Sequence, residues 1–276
     1  MKRSLTRRHF AAGSAALLLS ACGGGGGGSI ASPTTIGRTE SLSVASAQTG
    51  FTYPIQVYLP PAYDANATAR LPVIYALDGD AAFGYVTSTS GSATRFEAMR
   101  EVLQRRGTAA VLVGIGGTVR RNTDFLEPGD VAYHAFITQE LVPRIESAYR
   151  ADPAGRILSG LSNGGTFVFL AFMLEAPATP TFAQFWSIET AAPDLTGAGL
   201  LAEENALAAA VQGRSVPVTL YLAGATQANG PIVNSLYLQV AAHQYGGLVL
   251  KHSSFSTSHV GADIPALNDA LDTLVH

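Results

Sequence analysis

Residues 157–166 read Ile157-Leu158-Ser159-Gly160-Leu161-Ser162-Asn163-Gly164-Gly165-Thr166. A short apolar run beginning at Arg156 meets a serine set between glycines, and an apolar stretch of helical length, Thr166–Leu174, follows. Gly160-Leu161-Ser162-Asn163-Gly164 satisfies G-x-S-x-G in the context that gives the pattern meaning, a strand before and a helix after. So sharp a turn predicts small residues two before and two after the serine, which accounts for Gly160 and Gly164. It lifts the Ser162 hydroxyl above a sheet at a helix N-terminus, where the dipole favours a developing oxyanion. The pentapeptide by itself is a weak pattern, because glycine turns chosen for packing also contain serine; the strand-turn-helix context favours a nucleophile.

Outward from this turn, strand and helix patterns alternate. Short β-rich runs occur at 41–47, 53–59, 73–77, 110–115, 156–159, 182–188, 216–222 and 248–254. Helical patterns lie at 95–106, 133–149, 166–174, 203–211, 232–245 and 264–275. Several β runs are almost continuously apolar, as strands buried on both faces are. The alternation predicts one α/β domain, a mostly parallel sheet of about eight strands with helices on both faces. Pro60-Pro61 and Asp78-Gly79-Asp80 punctuate strand ends, and no internal repeat or second linker interrupts the pattern.

The chain has 276 residues, 47% hydrophobic and 13% charged, enough for one sizeable core. Net charge is −3 and the body of the chain has no Lys/Arg run, so nucleic acid is a poor partner. A single cysteine excludes an internal disulfide framework and a cysteine-based zinc site. Residues 1–21 read as an export signal: Lys2, Arg3, Arg7 and Arg8, then the apolar run Phe10–Leu19. That run is too short for a membrane span, which needs about 20 apolar residues. Thr6-Arg7-Arg8-His9-Phe10 resembles a twin-arginine signal, and Leu19-Ser20-Ala21-Cys22 resembles a bacterial lipobox, which implies lipidation at Cys22. Residues 22–39, with Gly23–Gly28, read as a flexible tether, and 40–276 as the folded domain. Without residues 1–21 there are 13 basic against 20 acidic groups, or −7, which suits an exported soluble domain rather than one lying on anionic lipid. The expected location is therefore the bacterial cell envelope, anchored by lipid on a periplasmic or outer-membrane face, with plain secretion as the alternative.

Several separated motifs, in order, carry a resemblance that covers nearly all of the domain. They are Val57-Tyr58-Leu59-Pro60-Pro61-Ala62-Tyr63-Asp64, then Leu71 to Asp80 (LPVIYALDGD), then Val113-Gly114-Ile115 followed by Arg121, Asp124 and Phe125, then Glu140 to Glu146 (ELVPRIE). Together with the serine motif they resemble the Putative esterase family of α/β-hydrolases. That family includes siderophore esterases, S-formylglutathione hydrolases, feruloyl and acetylxylan esterases, and mycolyltransferases.

The resemblance implies the rest of a catalytic set. A serine needs a base to take its proton, and the family supplies a histidine in the loop after the last strand; His259 holds that place. His252 competes but lies inside the strand, and His134, His243 and His276 sit elsewhere. The family pattern puts the oxyanion hole on the backbone N–H groups of Asn163 and Asp80, with Asp78 as a turn residue. For the acid, the family uses Asp or Glu just after the 216–222 strand, but that place reads Ala223-Gly224-Ala225-Thr226-Gln227-Ala228-Asn229-Gly230 and has no carboxylate. Glu189, at the end of the preceding strand, is the favoured substitute. Asp194 is a second, and a serine–histidine dyad oriented by Gln227, Asn229 or a carbonyl is the third. Arg121 reads first as a partner for Asp124 and, functionally, as a cation at the mouth that recognises an acidic or catecholate substrate. Phe83, Tyr85 and Phe125 are candidate walls of an acyl pocket, or packing residues.

The expectation is a serine esterase that cleaves small-molecule carboxylic esters through an acyl-enzyme, siderophore esters or small or aryl esters included, with no metal or organic cofactor implied. Acyl transfer on the same fold is one alternative. A non-catalytic binding lipoprotein is the other, motivated by the missing carboxylate.

Overall fold

Along each central strand, successive apolar side chains enter two different cores. Val57, Leu59, Val73, Tyr75, Val111 and Val113 join one core; Tyr58, Ile74, Ala76 and Leu112 join the other. This is the pleat's period of two acting on sequences that are apolar throughout, so the sheet is buried on both faces. The computed structural model describes residues 36–192 and 197–275. The export signal, Cys22, most of the tether, Asp194 and His276 lie outside the described residues.

The strands are β1 (Arg38–Ala45), β2 (Thr52–Leu59), β3 (Leu71–Ala76), β4 (Tyr85–Thr87), β5 (Ser90–Ala93), β6 (Val111–Ile115), β7 (Ala151–Leu161), β8 (Gln184–Ile188), β9 (Thr219–Ala225) and β10 (Val249–Phe255). Eight form one sheet in the order β1-β2-β6-β3-β7-β8-β9-β10, and β4 and β5 make a separate hairpin that the sequence patterns did not show. Strand β2 runs against both neighbours; the other pairs in the sheet are parallel. This is the predicted sheet, although β1 takes in the last two residues read as tether.

The helices are α1 (Pro61–Ala65), α2 (Arg95–Arg106), α3 (Arg121–Asp124), α4 (Asp130–Ala135), α5 (Val142–Ala148), α6 (Asn163–Glu175), α7 (Ala198–Val211), α8 (Gly230–His243) and α9 (Asp263–Thr273). A π-helical segment, Phe136–Leu141, joins α4 to α5, so the single helix read over 133–149 is a composite. One face is covered by α2 and α9, which supply Phe96, Met99, Leu103, Leu267 and Leu271. The other is covered by α5 to α8 with the π segment, through Ile137, Ile145, Phe169, Leu207 and Leu236. Helix α2 starts with a full capping box, Thr94 and Glu97 each satisfying the other's backbone N–H, and ends on Gly107 at φ 64°. No helix among the described residues is long and apolar enough to cross a membrane.

Candidate active site

Parallel strands place their C-terminal ends along one edge of the sheet, and there the chain is strained. Asp78 (φ 54°), Ser162 (φ 63°) and Glu189 (φ 53°) follow β3, β7 and β8; the fourth non-glycine residue with positive φ among those described is Gln244, which caps α8. Left-handed backbone costs a residue with a Cβ about 1–2 kcal/mol. Three such residues at adjacent strand ends, all of them in the catalytic region read from the sequence, mark a site held by its surroundings.

At the serine, a Cβ on Gly160 would lie 2.2 Å from the Gly164 carbonyl oxygen, so Gly160 must be glycine. Gly164 is different: its Cβ would meet Asp78 Oδ2 at an ordinary 3.4 Å, whereas one on Gly165 would strike the Ile188 carbonyl oxygen at 2.4 Å. The second obligatory glycine is therefore Gly165, one place later than the spacing predicts, because it is there that α6 crosses the end of β8. Ser162 N–H donates to Ile188 O at 2.9 Å, and Ser162 O accepts from Thr166 N–H at 2.9 Å. The first bond fixes the serine beside Glu189, the next residue on β8.

Glu189 is fully buried, and its surroundings explain how a carboxylate tolerates that. Oε1 accepts from the Ala225 N–H. Oε2 accepts from the Asn229 N–H at 3.2 Å and from His259 Nδ1 at 2.6 Å. The Glu189 carbonyl accepts from Asn229 Nδ2 at 3.0 Å, and its N–H donates to Ala223 O at 2.7 Å. An ionised carboxylate can only accept, so Nδ1 carries a proton, and in the neutral ring Nε2 is the nitrogen that keeps its lone pair. The segment 223–230, which has no carboxylate, thus forms the amide cradle for one on the adjacent strand. Asn229, read from sequence as a possible orienter of His259, clamps Glu189 instead. His259 side-chain exposure is 36%, so the ring reaches solvent while its acid does not.

The other three described histidines fall away from this cluster. His252 stacks on Tyr237 with ring centroids 4.8 Å apart, His134 bonds Glu175 and His243 bonds Glu204.

The turn after β3 faces the elbow. The Asp80 carboxylate is occupied by Gly117 N–H (2.8 Å) and by Thr118. Its backbone N–H, and that of Asn163 at the start of α6, have no partner among the described residues. Two such donors in strained turns are what an oxyanion hole needs.

Arg121 does not pair with Asp124, as sequence proximity suggested. Arg120 holds Asp124, at 2.7 and 3.0 Å. Arg121 crosses to Asp78, at 3.0 and 3.3 Å, and reaches Leu161 O at 3.3 Å. Both arginines lie within one helical turn of Asp124, at i−4 and i−3, and Arg120 takes it while Arg121 reaches the turn after β3. Burial raises the Asp78 carboxyl above its ordinary value, while Arg121 pulls it back down. Arg121 also lies over the Phe83 ring, 5.1 Å from its centroid. Tyr85 and Phe125 are core residues, so of the three aromatics only Phe83 stands at the mouth.

Beneath the site is a brace that the sequence did not reveal. Arg95, wholly buried, makes a bidentate pair with Asp263 (2.8 and 2.9 Å) and bonds Leu77 O, Ser159 O and Ser159 Oγ. Tyr85 Oη also donates to Asp263, at 2.6 Å. The guanidinium therefore ties the ends of β3 and β7 to the start of α9, four residues after His259. In sequence Arg95 is only the first residue of a capped helix, and nothing local marks it as interior.

A parallel sheet with one reversed strand, helices on both faces, and a strained serine turn bonded to the residue before a histidine-bound carboxylate define the class: an α/β-hydrolase fold. The family described as "Putative esterase" matches residues 46–195, more than half of the chain, and the chain belongs to that family. A search of curated protein sequences returned no match. Among solved structures, an IroE-like serine hydrolase from Shewanella oneidensis superposes with a TM-score of 0.70 at 20% identity, over 84% of this chain and 78% of that one. The BES protein from Bacillus cereus gives 0.68 at 20% identity, over 84% and 93%. Siderophore hydrolase EstA from Aspergillus nidulans gives 0.65 at 18%, over 86% and 93%. At these identities the likeness is one of fold.

Proposed function

We propose that the chain is a serine esterase in which Ser162 is the nucleophile, His259 the base and Glu189 the acid. Ser162 Oγ attacks the ester carbonyl while His259 Nε2 takes its proton; the oxyanion is received by the N–H groups of Asp80 and Asn163. His259 then protonates the leaving alcohol, and a water activated by the same ring releases the acid. Glu189 keeps the imidazole in the required tautomer and stabilises its protonated form. Arg121, already paired with Asp78, offers its remaining N–H groups to the substrate. The observation that carries this reading is the 2.6 Å contact of His259 Nδ1 with a buried carboxylate whose strand neighbour bonds the Ser162 amide. It also removes the motive for a non-catalytic binder, since a carboxylate does stand behind the histidine.

The chain's N-terminal residues support export and lipid anchoring through Cys22 as part of the same proposal, which places the esterase in the cell envelope. Labelling with a fluorophosphonate probe tests the enzyme: the wild type is labelled and Ser162→Ala is not. Absence of labelling in the wild type, or persistence in Ser162→Ala, overturns it.

A further inference from the structure

A groove runs along α6, starting at Thr166, one helical turn beyond Ser162. Its near part, about 390 Å³, is lined by residues that include Asn122, Leu126, Glu127, Thr166, Leu170 and Glu203. Its far part, about 340 Å³, shares Glu127, Leu170 and Glu203 and adds Asp130, Val131 and Leu174. The near end is bonded to the catalytic turn, through Thr166 N–H to Ser162 O (2.9 Å) and Asn163 Nδ2 to Asn122 Oδ1 (2.9 Å). From Ser162 to Leu170, where the two parts meet, the helix rises about 12 Å.

The walls are mixed: Leu126, Leu170 and Leu200 supply apolar surface beside Asn122 and Thr166 in the near part, and Val131 and Leu174 of the far part are exposed, at 57% and 41%. The charges are of one sign. Glu127, Asp130 and Glu203 all line the far part, and none of them belongs to an ion pair among the described residues. Burial, followed by the charges of Glu127 and Asp130, raises the Glu203 carboxyl above its ordinary value. Asp130 is only 4% exposed, and its Oδ1 has no hydrogen-bond partner. Buried carboxylate oxygens are normally satisfied, because leaving one unpaired costs free energy. The Arg214 guanidinium is bonded to Pro177 O (2.9 Å) and Ala210 O (2.6 Å), two residues that line the far part. The three carboxylates do not form a set that could hold a metal ion.

We infer that this groove receives one arm of the ester substrate, an apolar chain that ends in a positive charge such as an alkylammonium, drawn by the field of the Glu127, Asp130 and Glu203 carboxylates. The inference rests on the serine-esterase reading and names its substrate class. A groove with Leu126, Leu170 and Leu200 as apolar wall and with Glu127 and Glu203 where its two parts meet favours that ligand over neutral chains, and disfavours acidic ones through repulsion.

The test compares kcat/KM for matched activated esters with acyl chains of about six to ten carbons, a length set by the 12 Å reach. The chains end in an amine, a methyl or a carboxylate, and a parallel series varies the alcohol arm. Expected in at least one arm is a preference of about tenfold or more for the amine over the methyl, larger still over the carboxylate. The amine-to-methyl ratio should fall toward one in Glu127→Gln and Glu203→Gln, which lie on the more exposed side and do not depend on Asp130→Asn folding. Equal rates for amine and methyl, a preference for the carboxylate, or a ratio unmoved by both variants overturns the inference. If no ester is cleaved in a Ser162-dependent way, the esterase reading itself has failed. The groove is then tested by calorimetry with Ser162→Ala, titrating the N-methylamides of the same amine- and methyl-terminated acids. Tighter binding of the amine by about tenfold supports it, and equal binding refutes it.

Discussion

Replacing Glu189 with glutamine tests the catalytic assignment most directly, and the structure sets the expected size. Three N–H groups converge on two carboxylate oxygens: Ala225 on Oε1, Asn229 and His259 on Oε2. Glutamine offers one accepting oxygen and one NH₂. If its oxygen stays with Asn229 and His259, the NH₂ opposes the buried Ala225 N–H, at about 1–3 kcal/mol of stability. The imidazole then keeps its tautomer but loses a charged partner, worth about 1.5–3 kcal/mol, or about 10- to 100-fold in rate. If instead the NH₂ turns to His259, Nδ1 must accept and the proton moves to Nε2, which can no longer take a proton from Ser162. Such an exchange costs about 10⁴-fold in kcat. The expected fall in kcat for Glu189→Gln is therefore between about 10-fold and about 10⁴-fold, and the weaker falls should come with a lower unfolding midpoint. Stopped-flow acylation with an activated aryl ester measures the first quantity and thermal unfolding the second. A fall of less than about tenfold with an unchanged midpoint would refute the claim that Glu189 orients His259.

The two glycines of the serine motif should separate. Gly160→Ala must displace the Gly164 backbone and is expected to cost about 3 kcal/mol or more by chemical denaturation, whereas Gly164→Ala should be neutral or gain up to about 1 kcal/mol from helix propensity. Arg95→Met leaves Asp263 buried without its cation and should lose about 3–5 kcal/mol; adding Asp263→Asn should return part of that, and a fully additive double mutant would count against the brace. Burial holds the His252 imidazole below its ordinary value of 6.5. The unfolded chain then binds more protons there, so this residue's contribution is complete above pH 6.5 and is lost as pH falls toward the folded value. His252→Phe keeps a ring against Tyr237, so its urea midpoint should fall less than that of the wild type between about pH 7.5 and about pH 5. Parallel slopes would reject this account.

The eight sheet strands and six major helices were legible because each depends on a local rule: apolar runs, a period of two or 3.6, glycine and proline at the boundaries. The β4–β5 hairpin was not. Tyr85–Thr87 and Ser90–Ala93 are short and poor in apolar alternation, and only Tyr85, docked onto Asp263, and Ala93 are buried. Ser162 and His259 were legible as candidates from motif and chain position, and Arg121 as a residue of the site without its partner.

By itself the sequence determined the alternating sheet-and-helix order, the glycine-flanked turn that raises Ser162, and a histidine in the final loop, since all three follow from neighbours along the chain. Only the tertiary structure decided what stands behind that histidine. Glu189 and His259 are 70 positions apart, and whether one carboxylate is solvated or held by Ala225, Asn229 and the imidazole depends on the register of β8 against β9 and β9 against β10. The same holds for Arg95, Asp263 and Asp130, whose burial comes from how separate elements pack, and a one-dimensional pattern carries no record of that.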